Sequence, residues 1–336
     1  MSRRQTLVLA ILVGVVAGIL AWVLLTTGRL GDPSDAGTVP HSELFDAGDL
    51  LLLTETLSSD ALEGRLMGSP GGDAARGFLR KRFEVNGLIA PTGPGYEQPF
   101  SAFMPDNAPE GFPEHGTNLV GLIEGRTPGE GALLVVTAHY DHVGIREGEI
   151  YNGADDNASG AAALTAVASY FADHPPEHDI VFVLFDGEEI GFQGSRYFIQ
   201  SEAADTARMA LNLNFDMVSR SDVNELYVCG SYHTPELFPM LEELAAGAPV
   251  KLILGHDRPE QGPDDWTGQS DHAVFHRAGI PFLYFGVEDH PDYHKPTDDF
   301  AAIPQDFFVH SVETLIMAAR MADARLDEIV TATQSD

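Results

Sequence analysis

The sequence predicts an α/β fold: a three-layer helix-sheet-helix sandwich with a mostly parallel mixed sheet, preceded by one N-terminal transmembrane helix. Apolar runs of β-forming residues alternate with helix-like stretches, which is the pattern of a layered sheet. A long uncharged segment near the amino terminus supplies the predicted membrane span. The chain of 336 residues is long enough for one large α/β domain with such an appendage.

The charge balance excludes one class of partner. The chain carries 51 acidic and 19 basic residues, for a formal net charge of -32. Nucleic-acid binding needs clustered Lys and Arg, so no nucleic-acid partner is expected. An acidic surface suited to a saline habitat and simple solubility both fit this composition. The single cysteine, Cys229, ends an apolar run and is interpreted as a buried structural thiol.

The amino-terminal region predicts a membrane anchor. Arg3 and Arg4 precede a mostly apolar stretch that is long enough to cross a hydrocarbon layer of roughly 30 Å. No good small-x-small cleavage site follows it, so an uncleaved anchor is favoured over a signal peptide. The positive-inside rule then places the body outside the cytoplasm, in the periplasm or the extracellular space. The predicted divisions are a cytoplasmic tip at 1–5, a transmembrane signal anchor at 6–28, a flexible linker at 29–41, one domain at 42–330 and a polar tail at 331–336.

Four continuous apolar runs are predicted as buried strands, at residues 132–138, 180–185, 211–215 and 280–285. Helices are predicted between and after them, at 157–171, 191–201, 271–278 and 305–320. Imidazoles and carboxylates follow the strand ends: His139, Glu188, Glu189, Asp216 and His294. Because ligand crevices form at the carboxyl ends of strands in open α/β sheets, these side chains should converge. Asp155, in the turn before the first of these helices, can reach the same edge.

This set of donors predicts a two-metal hydrolase site. Two imidazoles and three carboxylates, with one carboxylate shared, suit a pair of divalent metals. Two Zn²⁺ ions are expected, with Mn²⁺ or Co²⁺ as alternatives. A glutamate beside a ligand glutamate supplies a base. Isolated surface or core residues would be the default interpretation of each side chain alone, but their joint placement at strand ends favours a metal site.

The same residues resemble the co-catalytic dizinc aminopeptidase family, which includes aminopeptidase Y, bacterial leucyl aminopeptidases and the related glutaminyl cyclases. The resemblance spans most of the predicted domain. It rests on the order of five motifs: Ser59-Asp60-Ala61-Leu62-Glu63-Gly64-Arg65, His139-Tyr140-Asp141, Gly153-Ala154-Asp155-Asp156-Asn157-Ala158-Ser159-Gly160, Glu188-Glu189-Ile190-Gly191-Phe192-Gln193-Gly194-Ser195 and Gly279-Ile280-Pro281.

The resemblance implies a full set of metal ligands. Asp155 would bridge both metals, His139 and Asp216 would complete one, and Glu189 and His294 would complete the other. The peptide bond between Asp155 and Asp156 would be cis.

It also implies roles for three neighbours of these ligands. Glu188 would be the general base that takes a proton from the metal-bridging water and passes one to the leaving amine. Asp141 would hydrogen-bond the second nitrogen of His139. Tyr293 would lie near the scissile carbonyl and contact the substrate.

The function expected on these grounds is that of a membrane-anchored metallopeptidase, a zinc aminopeptidase that removes amino-terminal residues from peptides. The alternatives are a glutaminyl-cyclase-like aminoacyltransferase and a non-catalytic receptor or chaperone domain on the same fold. The turn after Asp155 favours the hydrolytic branch, and the complete ligand set argues against a non-catalytic domain. Five further histidines are not assigned as ligands: His142, His256, His272, His276 and His290.

Overall fold

The apolar runs form the centre of one eight-stranded mixed sheet. The computed structural model describes residues 39–91, 95–104, 106–109, 111–201 and 204–333, and Pro40–Asp336 form one compact unit. The strands of the structure are β1 (Glu97–Ser101), β2 (His115–Ile123), β3 (Leu133–His139), β4 (Gly144–Arg146), β5 (Glu149–Tyr151), β6 (Asp179–Phe185), β7 (Met209–Phe215), β8 (Glu225–Cys229), β9 (Lys251–Leu254) and β10 (Phe282–Gly286).

Helices separate most of these strands. The α-helices are α1 (Ala47–Leu57), α2 (Pro70–Val85), α3 (Gly160–Asp173), α4 (Gln193–Gln200), α5 (Phe238–Gly247), α6 (His272–Arg277), α7 (Gln305–Ala324) and α8 (Leu326–Thr333). Short single-turn helices lie at Asp60–Arg65, Pro235–Leu237, Pro259–Asp264, Trp266–Gly268 and Phe300–Ala302, and a wider turn lies at Ala154–Ser159. All four predicted helices are present, with ends shifted by a few residues at most.

The large sheet has the spatial order β1-β2-β6-β3-β7-β10-β8-β9, and β4 and β5 form a separate hairpin. The four central strands, β6, β3, β7 and β10, run parallel, as do β8 and β9. The pairs β1 with β2, β2 with β6 and β8 with β10 are antiparallel. The predicted α/β fold with a mostly parallel mixed sheet is therefore confirmed.

Successive strand residues point to opposite sides of the sheet, so each face carries apolar side chains. Helices pack against both faces. On β3, Leu134 belongs to the large core beneath α3 and α7, whereas its neighbour Leu133 belongs to a second core. The second core contains Phe198 of α4 and Phe275 of α6. Each fully buried Leu or Phe side chain contributes about 1.5–3 kcal/mol of transfer free energy. These two cores are what make the fold a three-layer sandwich.

The winding of the chain reverses at β3. Helix α3 connects β3 to β6 across one face, and α4 connects β6 to β7 across the other. A crevice opens at the carboxyl ends of strands where such a reversal occurs. The ends of β3, β6 and β7 therefore meet around one hollow.

The predicted anchor at 6–28 and most of the predicted linker lie outside the described residues. Within the described part of the chain, no helix is both long and apolar enough to cross a bilayer. At the other end, α8 continues to Thr333. The polar tail predicted from residue 331 thus begins inside a helix.

Candidate metal centre and active site

One half of the site lies where β3 and β7 end. His139 is the last residue of β3 and is 1% exposed, and Asp216 directly follows β7. The Nε2 atom of His139 lies 3.2 Å from Asp216 Oδ1 and 3.6 Å from Asp156 Oδ1. One donor atom from each of these three residues lies within 4.8 Å of the other two. This spacing suits a single cation.

The other half lies beyond the end of β6. Glu189 Oε1 is 2.6 Å from Nδ1 of His142, and Glu189 Oε2 is 3.3 Å from Nε2 of His294. Asp156 Oδ2 lies 3.0 Å from His294 Nε2 and 3.8 Å from His142 Nδ1. His142, Asp156 and Glu189 form a second group of donors within 4.8 Å of one another. The predicted ligands His139, Glu189, Asp216 and His294 are thus brought together.

The carboxylate common to both halves is that of Asp156. The prediction that Asp155 holds this position is wrong, because its carboxylate turns away from both groups. Asp155 Oδ1 accepts hydrogen bonds from the amide and hydroxyl of Ser219 at 2.8 and 2.7 Å, and Oδ2 lies 3.2 Å from His290 Nε2. The cis peptide bond also lies one residue later than expected, between Asp156 and Asn157. The side chains of Asp155 and Asp156 point in different directions in this turn. Only Asp156 faces both groups of donors, although the two residues are adjacent.

The turn that carries Asp156 is attached to the end of β7. Asn157 donates to the carbonyl of Phe215 at 3.0 Å, and its Oδ1 accepts from the amides of Gly160 and Met217. A Cβ atom at Gly160 would lie 2.4 Å from Phe215 O, so this close approach requires glycine. The amides of residues 155 and 156 donate to the buried carboxylate of Asp298 at 3.1 Å. Asp156 and Asp216 are thereby held in a fixed relation.

Asp141 orients the glutamate pair. Its carboxylate accepts hydrogen bonds from the amides of Glu188 and Glu189, at 3.0 and 3.4 Å. Nδ1 of His139 lies 3.2 Å from the backbone carbonyl of Asp141 and 3.6 Å from its carboxylate. The hydrogen bond predicted for the second nitrogen of His139 is therefore made to the main chain of Asp141. The carboxylate holds the turn after β6.

Burial and crowding shift the pKa values of the site. Burial raises the pKa of Glu188 well above its ordinary value, and the Asp216 carboxylate acts in the same direction. Burial and the Glu189 carboxylate raise the pKa of Asp156. For Glu189 itself, burial is outweighed by hydrogen bonds with His142 and His294, which lower the pKa. Burial alone would lower the pKa of His294, but its bonds to Asp156 and Glu189 raise it to about 10.

These carboxylates fit a metal centre better than a metal-free one. Asp156, Glu189 and Asp216 are packed together with side chains less than 10% exposed. Ionised carboxylates cannot be buried side by side without compensating positive charge. The donor set of imidazole nitrogens and carboxylate oxygens suits zinc. The described residues at this edge therefore fit divalent cations.

A cavity of about 290 Å³ opens beside these groups. Its floor contains His139, Asp156, Glu188 and Asp216. Gln269 and Asp289 contribute polar groups to the walls. The other side chains of the walls are apolar or aromatic, namely Phe192, Met217, Trp266, Tyr284, Val287 and Tyr293. Tyr293 stacks on the ring of His294 with a centroid distance of 4.0 Å. Tyr293 thus lines the cavity, and its contact with the scissile carbonyl stays a prediction.

The structure adds one imidazole to the predicted set of donors, that of His142. His142 was not assigned as a ligand, although its spacing of three residues from His139 was a signal for a shared site.

Comparison with known proteins identifies relatives of both sequence and fold. The family model for peptidase family M28 matches residues 118–319. Aminopeptidase YwaD of Bacillus subtilis (strain 168) is 29% identical over 198 residues, which is 56% of this chain and 41% of that protein. The aligned region thus spans less than half the length of this curated relative.

Solved structures of an aminopeptidase and of a glutaminyl cyclase share the fold. The zinc aminopeptidase BSAP from Bacillus subtilis superposes with a TM-score of 0.65 at 19% identity, covering 83% of this chain and 96% of that one. The glutaminyl cyclase of Bacteroides thetaiotaomicron gives a TM-score of 0.64 at 18% identity, with 84% and 98% covered. Fold similarity alone therefore does not separate peptidases from cyclases.

Proposed function

Since the chain belongs to peptidase family M28, as the sequence motifs indicated, we propose that it is a zinc-dependent aminopeptidase that hydrolyses the amino-terminal bond of peptides. The observation that carries the proposal is the Asp156 carboxylate, which is common to two buried groups of imidazole and carboxylate donors. Site residues that lie far apart in sequence meet at the switch point of the sheet, where ligands bind in such folds.

We assign His139, Asp156 and Asp216 to one metal, and Asp156, Glu189 and His294 to the other. Asp156 replaces Asp155 as the shared ligand. Two zinc ions held by these residues would polarise the scissile carbonyl and lower the pKa of the attacking water. His142 contacts Glu189 and is assigned to the second group, either as a ligand or as the partner that orients Glu189.

Glu188 is the proton carrier in this proposal. Its side chain lines the cavity, while its backbone amide is fixed by Asp141. A buried carboxylate with a raised pKa accepts a proton more readily than an exposed one. Glu188 would take a proton from water and deliver one to the departing amine.

The cavity supports cleavage of single terminal residues. A volume of about 290 Å³ is at the small end of the range of roughly 300–1,000 Å³ for small-molecule pockets. It suits one side chain and the adjoining peptide bond. The apolar and aromatic walls favour an apolar side chain at that position, and Asp289, which also lines the cavity, disfavours an acidic one. Tyr293, which stacks on the metal ligand His294, would contact the scissile carbonyl.

Membrane anchoring is part of the same proposal. It rests on the apolar segment at 6–28 and the arginines before it. The domain would then act on peptides outside the cytoplasm. Fractionation of cells that produce the full chain, followed by protease treatment of intact cells, tests this topology, and a protein found wholly in the soluble cytoplasmic fraction would contradict it.

A substrate panel tests the activity. The full chain is incubated with free-amine aminoacyl anilides, amino-terminally blocked peptides and amino-terminal glutaminyl peptides, with and without a chelator. We expect chelator-sensitive release of the amino-terminal residue from the free-amine substrates only. Cyclisation of the glutaminyl peptides without hydrolysis would support the aminoacyltransferase instead, and cleavage of blocked peptides only would refute an aminopeptidase.

A further inference from the structure

Arg65 is a fully buried cation beneath the site, and none of its described hydrogen-bond acceptors is a side chain. Its guanidinium donates to backbone carbonyls only. Nε donates to Tyr140 O at 2.9 Å, Nη1 to Leu57 O and Asn152 O at 2.6 Å each, and Nη2 to Gly153 O at 2.8 Å. The backbone of Arg65 has a φ of 49°, a conformation that a non-glycine residue adopts at a cost.

Burying a charged side chain with no opposite charge in contact is energetically unfavourable, because the charge loses its hydration. Here burial lowers the pKa of Arg65 to about 10, while the carboxylates of Asp156 and Asp298 oppose that change. The side chain therefore stays cationic at neutral pH. Hydrogen bonds from a charged donor are stronger than those between neutral groups, so four of them can offset the cost of burial.

Three of the four acceptors lie in the loops that carry metal ligands, and the fourth lies at the end of helix α1. Tyr140 directly follows His139 and precedes His142 in the loop after β3. Residues 152 and 153 lead into the turn that carries Asp156. Leu57 is the last residue of α1, which packs on the core. One planar guanidinium thus joins two ligand-bearing loops to a helix that carries no ligand.

The opposite side of the same turn is held by an anion. Asp298 accepts from the amides of residues 155 and 156, and its own carbonyl accepts from the amide of Ala154 at 3.0 Å. The Arg65 guanidinium therefore binds the carbonyls that lead into the turn, and the Asp298 carboxylate binds the amides within it. Both charges oppose movement of Asp156 relative to His139.

We propose that Arg65 is a positioning residue of the metal centre, which sets the separation of the His139–His142 loop and the Asp156 turn through its fork of backbone hydrogen bonds. This inference rests on the proposed function. It assigns the effect to the shape of the guanidinium rather than to its charge alone, because a lysine ammonium is a compact point charge that cannot span four acceptors in one plane.

The test compares Arg65→Lys and Arg65→Met with Arg208→Met in the full chain. Arg208 is a control remote from the site: its guanidinium also donates to two backbone carbonyls, those of Glu130 and Gly131, at the opposite end of the sheet from the metal ligands, and it pairs in addition with the Asp179 carboxylate at 2.8 Å. Zinc affinity is measured by chelator competition, folding by circular dichroism, and kcat and KM on an aminoacyl anilide. Loss of a residue that orients metal ligands costs roughly 10–100-fold in metal affinity.

We expect zinc affinity about 10-fold weaker in Arg65→Lys and about 100-fold weaker in Arg65→Met, with kcat lowered more than KM is raised. Arg208→Met should melt earlier but bind zinc as the wild type does. If Arg65→Met does not fold, Arg65→Lys decides the question. Wild-type affinity and kcat in Arg65→Lys would overturn the proposal, as would equal losses in Arg208→Met. A wild-type chain that binds no zinc would instead overturn the proposed function.

Discussion

Replacing Glu188 by Gln should abolish most turnover while leaving the metals in place. The substitution keeps the size of the side chain and the backbone hydrogen bond to Asp141, which measures 3.0 Å. Glu188 belongs to neither group of metal donors, so only its capacity to accept a proton is lost. General acid–base catalysis contributes roughly 10²–10⁴-fold, equivalent to about 3–5.5 kcal/mol at about 1.36 kcal/mol per factor of ten.

The assay is steady-state hydrolysis of an aminoacyl anilide, with zinc content measured on the same preparation. We expect kcat to fall by at least about 100-fold, with KM and zinc content close to those of the wild type. Glu189→Gln is the matched control, because Glu189 contacts His142 at 2.6 Å and His294 at 3.3 Å and should lose zinc as well as activity. A Glu188→Gln enzyme that retains more than a tenth of the wild-type kcat would refute the assignment of the base.

Two further predictions concern the surroundings of the site, and a third concerns the opposite end of the sheet. His294→Ala and His142→Ala each remove an imidazole beside Glu189 and should each weaken binding of one zinc ion; elemental analysis showing two tightly held ions in both variants would contradict this. Gly160→Ala places a Cβ 2.3 Å from Asn157 Oδ1 and should lower both the melting temperature and zinc affinity, so unchanged melting would count against the packing described. For Asp179, burial would raise the pKa, but hydrogen bonds from Arg208 and two backbone amides lower it. Its contribution to stability is thus present above the unfolded pKa of about 3.9 and lost as pH falls through the folded value. The melting deficit of Asp179→Asn should therefore shrink below about pH 4, and a deficit independent of pH would show that the ionised carboxylate does not matter.

The central strands could be predicted because strands buried on both faces are continuous apolar runs. Each of the strands β3, β6 and β7 has seven residues, and all of them are buried. The edge strand β1 was harder to recognise from the sequence, because exposed and buried residues alternate along it and it contains Pro99. Because the strand ends could be recognised, the sequence was enough to predict that His139, Glu189, Asp216 and His294 lie in one site.

The shared carboxylate could not be predicted with the same precision. Asp155 and Asp156 have identical chemistry, and only the backbone of the turn decides which one faces the metals. Ser219 and His290, which hold Asp155 away from the centre, are distant in sequence and give no local signal. Arg65 is hidden for a related reason, because its partners are backbone carbonyls that any residue possesses.

Zinc stoichiometry decides whether Asp156 joins two metal sites. The full chain and its Asp155→Asn and Asp156→Asn variants are equilibrated with zinc, freed of excess ion and analysed for zinc per chain. If Asp156 is the shared ligand, we expect two ions in the wild type, two in a less stable Asp155→Asn protein, and loss of tightly bound zinc in Asp156→Asn. Two ions retained in Asp156→Asn, with zinc lost from Asp155→Asn, would contradict it.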